Sequence, residues 1–425
     1  MNIRKNAFWI LEYLKGNQIR KHYNEIKSLL ESPNSADSKS LKEQRLNELI
    51  NHAISTSPFY KGKNYKNISD FPVVTKTGII DNFEQFKSSK FSNQNLKEVS
   101  TSGSTGIPFK ILHNNNKTKR NSADAIFFSS QANYILGQKL IYIKLWDEKS
   151  YKSNTLLFYQ NIIPFNILKN SNYEIEELLN KIKNISGKKT IIVYPSFLEK
   201  ICKYLDAYND DTNYEINSII TMSESLNHYE KNSASKYFDS PVFERYSNME
   251  NGIIAQQTYD SGSNYKINTA SYYVEILKID SDEPAKNGEV GRIIITDLFN
   301  YAMPLIRYDT GDMAAFEKSD TSTFLKIYGR RMDMIYDTKG RAVFPFIFYR
   351  ISSFSVHKQY QFIQDKEKEY TFKLNSTKEK TQETEMVAYF KKYLGNDAIF
   401  NFVYVDEIPL LTSGKRKKAV NNYIK

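Results

Sequence analysis

One cysteine, Cys202, in 425 residues excludes any intramolecular disulfide. With five histidines beside it, a zinc site would have to be built from imidazoles and carboxylates alone, and a reducing compartment suits the chain. No apolar run approaches the roughly 18 residues that a membrane span requires. The opening MNIRKNAFWILEYLKGNQIR starts basic, but its apolar stretch is short, is broken by Glu12 and is followed by no small-residue cleavage site. Neither a span nor a secretory leader is expected, and the expected location is cytoplasmic. Internal repeats and long low-complexity tracts are also missing, which argues against solenoids and disordered arrays.

What is present is ordinary globular material: 40% hydrophobic and 25% charged residues, with 31 Tyr and 26 Phe to build cores. The length implies two or three domains. Fifty-nine Lys and Arg against 48 Asp and Glu leave a net charge of +11, which admits nucleic acid, an anionic membrane or a polyphosphate substrate as partner without choosing among them. A nucleic-acid-binding protein is one reading of that charge and of the basic run Lys415 to Lys418. Against it, the bases and aromatics are spread along the chain, and no RNA- or DNA-binding motif is found.

Leu and Ile recur at helical spacing in LKEQRLNELINHAI, and Ser57-Pro58 stops that helix. From Lys76 onward, helical stretches alternate with the β-branched runs KLIYIKLW, KTIIVYP, INSIITMS and PVFERY, a pattern that predicts parallel strands with crossover helices. After Tyr272 the runs YYVEILKI, GRIIITDL and TFLKIYG are separated by turns and predict a more antiparallel, β-rich lobe. The last 85 or so residues, with the helical QETEMVAYFKKYL and the strand FNFVYV, predict a small α+β domain. The expected class is α/β: a large domain over residues 1–330, with mixed and parallel sheets flanked by helices, and a small C-terminal cap over 331–425.

The sharpest local signal is Ser100-Thr101-Ser102-Gly103-Ser104-Thr105-Gly106. Two glycines let the backbone turn tightly so that several N–H groups converge on an anion, and the hydroxyls add donors. It is not a Walker A loop, because no Gly-Lys-Ser/Thr ends it. Taken alone, a phosphate cradle and a flexible Ser/Gly linker are about equally good readings.

Four further islands follow in order: Tyr246-Ser247-Asn248-Met249-Glu250, Arg307-Tyr308-Asp309-Thr310-Gly311-Asp312, Gly329-Arg330-Arg331-Met332-Asp333 and Leu411-Thr412-Ser413-Gly414-Lys415. Together with PFYKGK, FPVVTK (Phe71 to Lys76), YPSFLE and MPLIRYDTGD, they resemble the adenylate-forming superfamily of acyl-CoA synthetases and luciferases. The likeness is strongest to the phenylacetate–CoA ligase branch that includes CapK-type capsule biosynthesis proteins, and it runs from about residue 40 to the end of the chain.

The resemblance implies an ATP-dependent, AMP-forming ligase acting on a small or sugar-borne carboxylic acid, with ATP and Mg²⁺ as cofactors and CoA as acceptor. An amine acceptor in surface polysaccharide synthesis is the alternative. Residue by residue, Thr101, Ser102, Gly103, Ser104, Thr105 and Gly106 would hold the β- and γ-phosphates, and Tyr246 would stack on adenine. Glu250 would bind Mg²⁺, and Asp312, helped by Arg330, would take the ribose hydroxyls. Ser223 and Glu224 would line the nucleotide pocket, and Lys415 would reach from a mobile cap to the reacting carboxylate and α-phosphate. The acid would sit among Asn133-Tyr134, Tyr194-Pro195-Ser196 and the strand before Tyr246. Two positions depart from the family pattern: Ile107 stands where many relatives carry Lys, and Met332, followed by Asp333, stands at the usual charged hinge. Each position has a structural reading in isolation; their joint order favours the functional one.

Overall fold

In the computed structural model, residues 2–63, 65–101, 109–146, 152–226, 228–330, 335–343, 345–357, 359–409 and 417–423 are described. Two compact units are found, Met1–Thr310 with Ala314–Lys326, and Gly311–Met313 with Ile327–Lys425.

The first unit opens with helices α1 (Ile3–Leu14), α2 (Gln18–Glu31) and α3 (Ala36–Thr56), followed by the short α4 (Lys76–Asp81) and α5 (Phe83–Phe86). The antiparallel hairpin β1 (Lys97–Thr101) and β2 (Phe109–His113) leads into α6 (Asn115–Ser130). Then come β3 (Lys139–Lys144), α7 (Asn154–Gln160), β4 (Ile162–Asn166), α8 (Asn172–Lys183), β5 (Lys189–Val193), α9 (Pro195–Tyr208), β6 (Ile216–Met222), α10 (His228–Phe238) and β7 (Val242–Asn248). Strands β8 (Gly252–Gln256), β9 (Tyr265–Ile267), β10 (Tyr272–Leu277), β11 (Gly291–Asp297), β12 (Tyr308–Phe316) and β13 (Thr323–Arg330) complete the run.

Among the described residues, eleven strands form one sheet in the order β10-β11-β12-β13-β9-β8-β7-β6-β5-β3-β4. From β4 to β7 the ladders are parallel; β7–β8, β8–β9, β13–β9 and β10–β11 are antiparallel. The β-rich segment after Tyr272 is therefore continuous with the parallel half. All five residues of β5 are buried, as expected for a strand covered on both faces, and Ile191 and Val193 pack with Ile219, Leu198 and Leu178 of β6, α9 and α8. Pro195 sits at the first turn of α9, where its missing N–H costs nothing, and Asn209 ends the helix in the left-handed region.

The second unit holds β14 (Ile335–Tyr336), β15 (Ala342–Val343), a 3₁₀ segment (Pro345–Ser353), β16 (Tyr360–Gln364), β17 (Glu369–Leu374), α11 (Glu383–Leu394), β18 (Ile399–Tyr404) and β19 (Ala419–Asn421). Its four-stranded sheet runs β18-β17-β16-β19. Met386, Phe390 and Leu394 of α11 bury against Phe362 and Phe372, an aromatic core with ring centroids 4.9 to 5.6 Å apart. β18 alternates exposed and half-buried residues with period 2.

The first turns of α6 are anchored by charge. Lys117 and Asp297 are both fully buried, with Nζ 2.6 Å from Oδ2, and Lys117 also donates to the Tyr272 hydroxyl at 3.1 Å. One turn on, buried Arg120 donates to Ser271 Oγ (2.8 Å), the Ala270 carbonyl (2.7 Å) and Glu25 Oε1 (2.8 Å). Replacing Lys117 by Met strands a buried carboxylate, so the single variant is expected to lose about 3–5 kcal/mol of unfolding free energy, read as a lower denaturant midpoint. Adding Asp297→Asn is expected to recover a large part of that loss in a double-mutant cycle.

Candidate active site

The parallel strands end together. Register pairs Val193 with Thr221 and Met222 with Arg245, so Tyr194, Ser223 and Tyr246 follow at the carboxyl edge of three adjacent strands. Openings of this kind are where parallel sheets take ligands. The next turn is the β7–β8 hairpin, which carries Glu250.

That turn is held from three directions. Asn251 N–H donates to Asn248 Oδ1 at 2.8 Å within the turn. His113, at the end of β2, has its Nε2 2.8 Å from the Glu250 carbonyl, and the Tyr272 hydroxyl donates to the Asn251 carbonyl at 2.5 Å. Because a carbonyl can only accept, Nε2 carries the proton in this bond. Burial, reinforced by the charge of Lys117, pushes the His113 pKa down to about 4, so the ring is neutral at physiological pH. Tyr272, buried and close to Asp297, is held well above the usual tyrosine range and stays a donor.

The Glu250 carboxylate is 2% exposed, and its two oxygens differ. Oε1 accepts from the Tyr308 hydroxyl at 2.7 Å and lies 3.1 Å from Lys76 Nζ. Oε2 is buried and makes no hydrogen bond to the described residues. A hard anionic oxygen left over in this way fits a divalent cation whose remaining ligands are phosphate and water oxygens. Among the described residues no cluster of three or more His, Cys, Asp or Glu is found.

Lys76 and Tyr308 are placed by a parallel bridge between Val74 and Tyr308, with Val74 N–H to the Arg307 carbonyl (2.9 Å) and Asp309 N–H to the Val74 carbonyl (2.8 Å). Arg307, with φ +51, turns its guanidinium to the Phe71 carbonyl (2.8 Å) and Glu275 Oε2 (3.2 Å). Lys76 then begins α4, capped by Thr75. The Ser/Thr/Gly segment is bounded by the β1–β2 hairpin, where Thr101 pairs with Phe109. The Phe109 ring lies parallel to Tyr308 at 6.0 Å and 5.5 Å from Lys76 Nζ, so the exit of that segment is one ring away from the partners of Glu250.

The remaining predicted positions separate as follows. Tyr246 is half-buried beside a bulge in β7 and donates to Thr310 Oγ1 at 3.3 Å. Ser223 is exposed and takes a left-handed φ of +71, an uncommon conformation for a serine. Glu224 Oε2 accepts from Ser196 N–H at 2.9 Å, tying the β6 exit to the start of α9, while its Oε1 is buried without a hydrogen bond to the described residues. Asp312 lies half-buried on β12, and Arg330 ends β13. Ser102, Gly103, Ser104, Thr105, Gly106, Ile107, Met332, Asp333, Lys415 and the side chain of Thr101 lie outside the described residues. Asn133 and Tyr134 part company with Tyr194: Asn217, at the start of β6, donates to the Asn133 carbonyl, which puts this pair at the amino ends of the parallel strands, the end opposite the site. Sequence reasoning gave no role to Lys76, Tyr308 or His113, although the first two stood inside the quoted FPVVTK and IRYDTGD islands.

Residues 346–422 match the family model of the CapK C-terminal domain. Protein CapK of Staphylococcus aureus is 24% identical over 445 aligned residues, covering 96% of this chain and 94% of that protein. The chain is similar to Protein CapK along nearly its whole length and has the adenylate-forming ligase fold. That fold is shown by 2-hydroxyisobutyryl-CoA ligase in the postadenylation state in complex with R3-HIB-AMP, which superposes with a TM-score of 0.73 at 16% identity over 91% of this chain and 90% of that one. ATP-bound MatB from Rhodopseudomonas palustris gives 0.56 at 14% identity, over 76% of this chain and 66% of MatB. The resemblance read from the ordered islands is thereby borne out, as is the α/β class.

The neutral His113 makes folding pH-dependent. Its folded pKa lies below the ordinary 6.5, so the unfolded chain binds more protons between about pH 4 and 6.5, and stability is lost as pH falls through that window. His113→Gln, which keeps a donor but not the titration, is expected to flatten the stability–pH slope there by up to about 1.4 kcal/mol per pH unit, measured by denaturant titration at stepped pH.

Proposed function

We propose that the chain is an ATP-dependent carboxylate ligase that forms an acyl-adenylate, releases pyrophosphate and passes the acyl group to CoA. The observation that carries this reading is Glu250: a buried carboxylate at the carboxyl end of the parallel sheet, with one oxygen paired to Lys76 and Tyr308 and the other left over. The solved relatives of the same fold, one holding an acyl-AMP and one holding ATP, support it.

In the first step a carboxylate oxygen of the substrate attacks the α-phosphorus of ATP. The bond from that phosphorus to the bridging oxygen breaks, and pyrophosphate leaves with the electron pair. Mg²⁺ bound at Glu250 would supply charge neutralisation on the phosphates. Tyr308 and Lys76 fix the orientation of the Glu250 carboxylate, and Lys76, a third exposed, would supply a cation that Ile107 does not. Thr101 to Gly106 would cradle the β- and γ-phosphates, Tyr246, Ser223 and Glu224 would border the adenine, and Asp312 with Arg330 would hold the ribose. Lys415 would meet the reacting carboxylate and the α-phosphate. In the second step the acceptor attacks the acyl carbon and AMP leaves; the reading places the whole reaction in the cytoplasm, with the small C-terminal unit as the mobile cap. The likeness to Protein CapK favours a second acceptor class, an amine on a surface-polysaccharide precursor, with a sugar-borne acid as substrate.

Acid-dependent exchange of labelled pyrophosphate into ATP tests the first step, and no exchange with any carboxylic acid in a broad screen overturns the reading. Lys415→Ala is expected to lower exchange by about a hundredfold or more with an unchanged melting temperature. Glu250→Gln is expected to raise the Mg²⁺ concentration needed for half-maximal exchange by about tenfold, because the amide keeps the shape and loses the charge. AMP release that requires CoA, compared with release that requires an amine, separates the two acceptors.

A further inference from the structure

Helix α1 is apolar on two faces. Its inner face seats Phe8 and Trp9 against the protein, with Trp9 5.7 Å from the Tyr23 ring. Its outer face carries Ile3, Ile10 and Leu14, which fall within one narrow stripe at helical spacing and are 78%, 61% and 73% exposed, flanked by exposed Leu11 and Tyr13. A helix lying on a soluble protein ordinarily turns polar residues outward, and a contiguous apolar stripe marks an interaction surface.

The stripe continues onto neighbouring elements. Asn2 Nδ2 donates to the Leu136 carbonyl at 2.9 Å, and Arg4 Nη1 donates to the Phe158 carbonyl at 2.7 Å with its guanidinium 4.9 Å from the Phe158 ring. Exposed Ile135 and Phe158 therefore flank Ile3. The seating is tight: a Cβ on Gly137 would come within 2.8 to 2.9 Å of Asn2, Arg4 and Lys5. The helix is a fixed part of the surface.

Charge selects the occupant. The one carboxylate of α1, Glu12, is buried and accepts from Ile19 N–H at 2.8 Å, and α7, NTLLFYQ, has none. Lys5 and Lys15 are exposed on α1, and Arg4 and Lys181 lie close enough to Lys139 to lower its pKa after burial. Beneath α1 a cavity of about 560 Å³ is lined by Lys5, Trp9, Arg20, Tyr23, Asn133 and Asn217 among others, with no carboxylate in its lining and the Arg20 guanidinium 5.4 Å from the Trp9 ring. Cations, aromatic rings and amide donors grouped beside an apolar stripe suit a phosphate headgroup with acyl chains next to it. At 12 residues α1 is too short to cross a bilayer, and no described helix is long and apolar enough to do so.

We propose that the outer face of α1, with the tip of α7 and the Ile135 turn, docks on an anionic phospholipid surface. It does so at the amino ends of the parallel strands, away from Glu250 and Tyr246, so the docking stands independently of the ligase reading. The test is co-sedimentation of the full chain with phosphatidylcholine vesicles made with and without phosphatidylglycerol. Binding is expected for the anionic vesicles alone and is expected to weaken with salt. Ile10→Glu combined with Leu14→Glu is expected to cut the bound fraction by at least about tenfold with an unchanged melting temperature, since both side chains are exposed. If that variant melts early, Lys5→Glu with Lys15→Glu gives the second reading, with the same loss expected. No binding to anionic vesicles, or equal binding by wild type and both variants, overturns the proposal. A wild-type dimer that Ile10→Glu/Leu14→Glu dissociates, with no vesicle binding, overturns it in favour of a second copy of the chain.

Discussion

The buried ion pair between Lys117 and Asp297 carries the geometry of the candidate site. Two charges without water must be paired and hydrogen-bonded, and that requirement fixes where α6 starts relative to the end of β11. Lys117 reaches on to Tyr272, whose hydroxyl holds the Asn251 carbonyl, and its charge helps keep His113 neutral as it holds the Glu250 carbonyl. The hairpin turn that presents Glu250 is thus positioned by groups that need not touch a ligand themselves. Apolar replacements could have packed this region without the desolvation cost; the charged arrangement instead fixes a direction for each donor.

At Glu250 the two oxygens divide the work. Tyr308 and Lys76 occupy Oε1 and so hold the carboxylate plane, while Oε2 keeps its capacity to accept. Lys76 reaches it through a backbone bridge between the Val74 segment and β12, and Arg307, in a left-handed conformation, ties that bridge to the Phe71 carbonyl. A strained backbone held by several bonds at this point is what a site built for precise placement of charge requires.

The fold separates two kinds of surface along one set of strands. The carboxyl ends of β5, β6 and β7 open beside the Glu250 hairpin, and the amino ends of β3 and β6 border the cation-lined cavity under α1. The proposed docking at the amino ends leaves the opening beside Glu250, at the carboxyl ends, uncovered.

Much of this was legible in the chain. KTIIV, rich in β-branched residues, reads as a strand, and the alternation of such runs with helical stretches set the parallel half of the sheet. The order of the Ser/Thr/Gly, Glu250 and Asp312 islands pointed to the adenylate-forming fold before any contact was known. Other features were not legible, because they depend on contacts between residues far apart in sequence. Nothing local distinguishes Lys76 from the other lysines; it becomes a partner of Glu250, 174 positions away, only when the Val74 bridge forms. Asn133 and Tyr134 read as neighbours of Tyr194 until the direction of β3 sent them to the other end of the sheet, and nothing local showed that Ile3, Ile10 and Leu14 of α1 would stay exposed. Local sequence determined which segments are strands and helices, since periodicity and turn chemistry act over a few residues; tertiary structure alone decided which charges meet and which apolar faces stay uncovered, since burial and pairing depend on the whole chain.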